Sequence, residues 1–504
     1  MTVRPLDPEA ADVLRLREAL VALGYVGEAV PRALGARLGP AHLRKDLPLY
    51  LRRLDPGNPL HTVIKIFALG QWVGEKDAAS AIAPATVVGL LTAGLLERGP
   101  EGVRATLELG VHRDLLLAHD RFNPERGPDL RPDHVIGTNA PALLLDALTV
   151  RRPVATTLDV GCGGGVQSFF AARHSEEVVA IDKNPRALLF LRLNARLNGV
   201  TRVLGLEGDL FAPVAGRRFG LVLCNPPYVI SPDSRCVFMD SGRPQDAMCE
   251  EVVRRAPGYL EEGGFATILC NWALRAGEEW SAPLRRWVEG NGCDAWLLRG
   301  DQQDPLSYAA AWNRSREATP YTNALDRWLA YYREAGIESI GMGAVILRRR
   351  SSGPNWVRAD VMPTDPGESC HEQILRIFAA EDLLAGLRDD ASVLALGFRL
   401  VDDHRLEQSL RVREGGYVID KAEIQLDGGF AFRGTVDPGT LHLLQRCDGR
   451  TPLATIVDEL EATAGTERGA LAGPVAETVR KMVGMGFLTQ VPFSARSDRS
   501  GKRN

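Results

Sequence analysis

Between residues 133 and 350 the sequence predicts an α/β domain on a mostly parallel sheet, with a helical segment before it and an α+β segment after it. Three observations predict this. Short apolar runs alternate with helical periodicity through the middle of the chain, the pattern of strands joined by crossover helices. A Pro/Gly/charge-rich stretch, 124–132, separates that pattern from a purely helical one. One strand ends in a glycine-rich turn and an acidic residue closes the next, the local grammar of a nucleotide-binding crossover.

The N-terminal segment, 1–123, follows helical periodicity from about residue 8 to residue 95, behind the acidic start Asp7-Pro8-Glu9. Two strand-like runs follow, around Gly99-Pro100-Glu101-Gly102 and over 107–117. Helices closed by a small hairpin resemble a winged-helix module. The uncharged run 78–96 has the length of a membrane span, but Pro84, Gly89 and Gly94 mark it as buried helix.

Charge is nearly balanced: 60 Lys+Arg and 64 Asp+Glu leave a net −4 over 504 residues. Segments 1–130, 131–350 and 351–504 sum to 0, +1 and −5, so none coats nucleic acid or a membrane by bulk charge. The best basic window is 32–65, where Arg32, Arg37, Arg44, Lys45, Arg52, Arg53 and Lys65 face only Asp46 and Asp55. Eight cysteines show no CxxC pair and no zinc spacing, so no metal ligand is assigned. They read as small buried residues in a reducing compartment. With no apolar signal segment at the N-terminus, the expectation is a cytoplasmic chain without a membrane partner.

Strands are expected at 156–160, 177–181, 202–206, 219–224, 265–269, 293–298 and 342–348. The first runs into Gly161-Cys162-Gly163-Gly164-Gly165-Val166, and Asp182 ends the second. Glycines at 161, 163 and 165 let the backbone turn sharply and approach a ligand. Asp182 is placed to accept from both hydroxyls of a ribose. A dinucleotide turn would carry a third glycine where Val166 stands. The leading acid gives Asp159-Val160-Gly161-Cys162-Gly163-Gly164-Gly165, which resembles motif I of the class I methyltransferases. The resemblance implies a Rossmann-like domain with a seven-stranded sheet. It also implies S-adenosylmethionine as cofactor, bound by Asp159, Gly161, Gly163, Gly165, Asp182 and, after the third strand, Asp209.

The fourth strand is followed by Asn225-Pro226-Pro227-Tyr228. At the C-terminal ends of parallel strands this tetrapeptide falls beside the cofactor turn. An amide or aryl-amine nitrogen is a poor nucleophile because its lone pair is delocalised. The Asn225 side-chain oxygen and the Pro226 carbonyl can accept both N–H bonds and free that pair. Consecutive prolines fix the carbonyl's direction, and Tyr228 offers a flat face to a planar acceptor. The tetrapeptide resembles the (N/D)PP(Y/F/W) signature of amino-methyltransferases, which act on exocyclic base amines or on the glutamine amide of release factors. The resemblance implies catalytic roles for Asn225, Pro226, Pro227 and Tyr228.

Tyr308, Trp312, Tyr321, Trp328, Tyr331 and Tyr332 crowd the stretch before the last strand; helix-face packing and base stacking are both open readings. Segment 351–493, net −8, carries a strand-like run at 412–419 and helices at 438–446, 452–463 and 473–485. It resembles small winged-helix peptide-recognition modules. The tail 494–504 reads as disordered. The expectation is an S-adenosylmethionine-dependent N-methyltransferase, with an exocyclic amine in RNA or DNA as favoured acceptor. The alternatives are a protein glutamine or other peptide nitrogen, and a non-catalytic cofactor-binding protein.

Overall fold

The computed structural model describes residues 5–35, 40–121, 130–233, 236–314, 318–363, 366–413 and 415–490. It forms two units, residues 1–146 with 151–361, and residues 147–150 with those from 362 onward. Arg37, most of the stretch 124–132 and the tail 494–504 lie outside the described residues, as do the side chains of Arg44 and Lys45.

In the first unit, helices through Val87–Thr92 precede two antiparallel hairpins where one was expected. Strands β1 (Leu96–Gly99) and β2 (Gly102–Ala105) make the first, β3 (Leu107–His112) and β4 (Leu115–Asp120) the second. The run 78–96 breaks into the end of Glu75–Ile82, the helix Val87–Thr92 and the start of β1. No helix among the described residues is long and apolar enough to cross a membrane.

Beyond them, β5 (Val154–Val160), β6 (Ser175–Asp182), β7 (Val203–Glu207), β8 (Phe219–Cys224), β9 (Leu260–Leu274), β10 (Cys293–Gln303), β11 (Ser339–Arg349) and β12 (Val357–Val361) form one sheet. Its order is β12-β10-β11-β9-β8-β5-β6-β7, and β11 alone runs against the rest. All seven expected strands are present. The eighth, β12, lies past the expected domain end at 350. It is a short edge strand anchored by Trp296 Nε1, which donates to Asp360 at 2.7 Å. The strand order reverses between β5 and β8, so their C-terminal ends flank the crevice where such sheets take ligands.

The N-terminal helices are not a separate body. Helix Pro185–Asn198, which crosses over between β6 and β7, is buried on two sides. Ala187, Phe190, Leu193 and Leu197 enter the core of the N-terminal helices, while Leu188 and Leu191 pack with Leu115, Leu117, Phe169 and Phe170. Along the seam Asn194 and Asn198 each satisfy a whole peptide unit of β4. Asn194 Oδ1 accepts from Ala118 N at 2.7 Å and its Nδ2 donates to Ala118 O at 3.0 Å. Asn198 makes the same pair with Leu116, at 2.9 and 2.7 Å. Four helical residues rise about 6 Å and two strand residues about 6.7 Å, so the two amides keep step with the strand edge.

In the second unit, helices Pro438–Arg446, Leu453–Ala464 and Ala472–Gly484 fall within a residue of their expected bounds. The run 412–419 is not one strand. It straddles the turn between His404–Arg413 and Gly416–Leu426, where Gly415 takes φ +81°.

Asn194 is 1% exposed, so Asn194→Ala orphans both polar groups of Ala118 inside the fold. It should cost about 2–4 kcal/mol in urea unfolding, and more than Asn198→Ala at the more exposed end of the seam. Equal losses would refute the seam's ranking.

Candidate active site

The turn after β5 is tied to β6 before any ligand is considered. Gly161 N and Cys162 N both donate to Ile181 O, at 2.8 and 2.9 Å. Gly161, Gly163 and Gly165 take φ of +75°, +52° and +90°, a region side chains resist. At Gly165 a Cβ would also lie 2.3 Å from Leu191 Cδ1. The third glycine therefore serves the packing of the crossover helix as well as the turn.

Asp182 closes β6 with both carboxylate oxygens engaged by backbone. Gly163 N and Asn184 N each donate to it at 2.8 Å. Burial pushes its carboxyl up, and those two N–H groups pull it back down. A carboxylate has about four acceptor positions, so capacity remains on the cavity side. Asp159 has a different position. It is 2% exposed, does not line the cavity, and accepts from Ser168 Oγ at 2.6 Å. Burial is the main cause that raises its carboxyl to about 6, with a smaller contribution from Asp182. Asp209 is exposed at the cavity rim, 3.4 Å from Arg243 Nη2.

One cavity gathers Gly161, Gly163, Asp182, Asp209, Asn225 and Pro227. Asp159, Gly165, Pro226 and Tyr228 stand outside its lining. The half-buried Asn225 makes no side-chain hydrogen bond among the described residues, so its carboxamide is free to accept. Tyr228 packs at the meeting of two apolar clusters, where burial and the neighbouring Tyr308 raise its phenol well above the ordinary range. Thr138 and Asn139 also line the cavity, and Asn139 Oδ1 caps the helix Ala140–Leu148 by accepting from Ala142 N at 3.0 Å.

Sequence reasoning missed part of this wall. Leu117, Ala118 and His119 reach the cavity from β4, Asn194 from the helix Pro185–Asn198, and Phe238 from the loop after Tyr228. A signal existed for Asn194. Two asparagines four apart interrupt an otherwise apolar helix face, and a buried amide at such a position needs backbone partners.

Residues 137–279 match the family model described as Methyltransferase small domain, and residues 22–106 match one described as Domain of unknown function (DUF7059). The central domain is a class I methyltransferase domain of the NPPY type. Among curated relatives, the Ribosomal RNA small subunit methyltransferase C of Alcanivorax borkumensis is 32% identical over 152 residues, 29% of this chain and 40% of that protein. The Release factor glutamine methyltransferase of Geobacter sulfurreducens is 28% identical over 151 residues, 27% and 53% respectively. That of Yersinia pestis is 32% identical over 130 residues, 23% and 46%. The chain thus spans about half the length of these relatives. S-adenosylmethionine is the methyl donor implied for this domain. The residues present fit it: Gly161 and Gly163 line the cavity with positive φ and no side chain to fill it, and the Asp182 carboxylate beside them has unused acceptor positions.

Two outcomes test the electrostatics of the methyltransferase domain. Asp182→Ala should weaken S-adenosylmethionine binding by about 1.5–3 kcal/mol, roughly 10- to 150-fold in Kd by calorimetry. Asp159 binds its proton more tightly folded than unfolded, where it titrates near 3.9, so wild-type stability falls as pH rises from about 4 to 6. Asp159→Asn has no such proton. Its stability relative to wild type should therefore improve by about 2 kcal/mol from pH 4 to pH 7 in urea unfolding; parallel curves would refute the buried charge.

Proposed function

We propose that this chain is an S-adenosylmethionine-dependent methyltransferase acting on the exocyclic amine of an RNA base. The observation that carries methyl transfer to nitrogen is a shared cavity: Asn225 and Pro227, at the end of β8, line the same space as Gly161, Gly163 and Asp182. Bound there, S-adenosylmethionine supplies an electrophilic methyl group on a sulfonium sulfur.

The protein's part is orientation. Gly161 and Gly163 admit the donor's close approach, and Asp182 accepts from its ribose hydroxyls. The Asn225 side-chain oxygen and the Pro226 carbonyl accept the two N–H bonds of the nucleophile and turn its lone pair out of conjugation. No strong base is needed, because the methylated cationic nitrogen loses its proton readily to water.

A base amine in RNA is supported by exposed charge. Arg32, Arg52 and Arg53 are exposed and pair with no carboxylate among the described residues, although Arg52 donates to Pro48 O and Arg53 to Leu34 O. The likeness to a ribosomal RNA methyltransferase points the same way. One observation favours a glutamine amide instead: Tyr308, Trp328 and Tyr332 are 0–1% exposed, so three of the six crowded aromatics offer no stacking face.

Labelled methyl transfer from S-adenosylmethionine into cell extract, followed by nuclease or protease, separates the two acceptors. Label released by nuclease is expected; label that resists nuclease and yields to protease assigns the acceptor to protein. Asn225→Ala should abolish transfer while leaving donor Kd within about twofold.

A further inference from the structure

Ile230 lies four residues beyond Pro226, fully buried, outside every strand and helix. A buried peptide unit must find partners for its N–H and its C=O. Here two phenols provide them. Ile230 N donates to the Tyr308 hydroxyl at 3.3 Å, and the Tyr332 hydroxyl donates to Ile230 O at 2.7 Å. The Tyr308 hydroxyl also accepts from Asn271 Nδ2 at 2.8 Å, which ties it to β9. The two rings meet edge-on, their centroids 6.4 Å apart.

Both tyrosines come from the helical insert between β10 and β11, Pro305–Asn313 and Ala318–Glu334. The same insert holds the loop further along. Trp328 Nε1 donates to Asp233 at 3.1 Å, and Gln245 N donates to the Tyr331 hydroxyl at 3.0 Å.

We propose that Tyr308 and Tyr332 are positioning residues whose hydroxyls fix the peptide at Ile230 and thereby set the direction of the Pro226 carbonyl and of Asn225. This rests on the methyl-transfer reading of that loop. The connection is short and stiff: Pro226 and Pro227 lock their own φ, Tyr228 is wedged between two apolar clusters, and Val229 N donates to Met239 O at 3.3 Å. A displacement at Ile230 therefore has few bonds in which to dissipate before it reaches Pro226. The hydroxyls, not the rings, make the difference. Phenylalanine would fill the same space and leave both polar groups of Ile230 orphaned.

The test uses the full chain with Tyr308→Phe, Tyr332→Phe and the double variant. Three quantities are read: amide hydrogen exchange over residues 226–233 by mass spectrometry, S-adenosylmethionine affinity by calorimetry, and the maximal rate of labelled methyl transfer into cell extract. Exchange should rise and the maximal rate fall, each by about tenfold or more in the double variant, with donor Kd and apparent donor KM within about twofold. Phenylalanine variants that match wild type in exchange and rate would overturn the proposal, because packing alone would then suffice. So would a parallel loss of donor affinity, the mark of a general structural role. Wild-type protein that binds the donor without transferring methyl would sink the methyl-transfer reading instead, and unchanged exchange in the variants would still overturn the anchoring by the phenols.

Discussion

A crossover helix in a doubly wound sheet ordinarily buries one face; Pro185–Asn198 buries two, and the cofactor crevice depends on it. Its start is set by Asn184, whose Oδ1 accepts from Arg186 N at 3.0 Å, with Pro185 in the first turn. Its end is set by Gly199 at φ +67°. Between these stops, one face packs on the sheet and the glycine turn, and the other completes the N-terminal core. Asn194 then joins three elements. Its amide holds Ala118 of β4 and also donates to Gly164 O at 2.9 Å. Arg186 adds an ion pair with the buried Asp120 at the end of β4, Nε to Oδ2 at 2.8 Å. The wall of the cavity contributed by β4 and the floor contributed by the glycine turn are thus referenced to the same helix.

Within that frame the two ends of the cavity are built by different means. The donor side is made of backbone: positive-φ glycines, N–H groups aimed at Asp182, and an inner carboxylate, Asp159, held by Ser168. Asp159 lies behind the cavity lining, and because burial raises its carboxyl only to about 6 it is largely ionised at neutral pH, where its charge makes a thiolate at Cys162 or Cys224 harder to form. Its motif position is therefore explained by the architecture of the turn, through Ser168 on the following helix. The loop after Tyr228 belongs to no ladder and is held largely by side chains: phenols meet the peptide groups of Ile230 and Gln245, the Trp328 indole holds the Asp233 carboxylate, and the Asn271 amide holds the Tyr308 hydroxyl. Backbone construction leaves room for a ligand, whereas side-chain construction consumes the aromatics that looked available for stacking.

What could be read from the sequence follows the same division. Strands β5 to β8 are legible because each is a short apolar run bounded by turn residues, and the chemistry sits at their ends, where Gly161 or Asn225 follows directly in sequence. The contribution of β4 is not legible, since it depends on a contact between residues 118 and 194 that no local pattern encodes. The strand β12 escapes notice because Pro354 and Ser351-Ser352-Gly353 read as a linker, and because the alternation Val-Arg-Ala-Asp-Val lasts only five residues. The hairpin around Gly415 reads as one strand because Val412, Tyr417, Val418 and Ile419 supply apolar residues on both sides of the turn. The aromatics of 308–332 had two readings on composition alone; Tyr308, Trp328 and Tyr332 now fall in a core.

The near-neutral charge takes on a different meaning once partners are known. Many of the chain's arginines are spent internally: Arg348 and Arg350 close on Asp294, Arg376 on Asp403, Arg446 on Glu459. A net of −4 therefore says little about what a polyanion would meet, because paired charges largely cancel at distances beyond the Debye length. What counts is cationic charge left without a carboxylate, and among the described residues Arg32, Arg52 and Arg53 supply it within 22 positions of the N-terminal segment. That segment is packed on the methyltransferase domain through the Asn194 seam, in the same compact unit. A substrate held by those arginines would be held in a fixed relation to Asn225, without any basic domain having to exist.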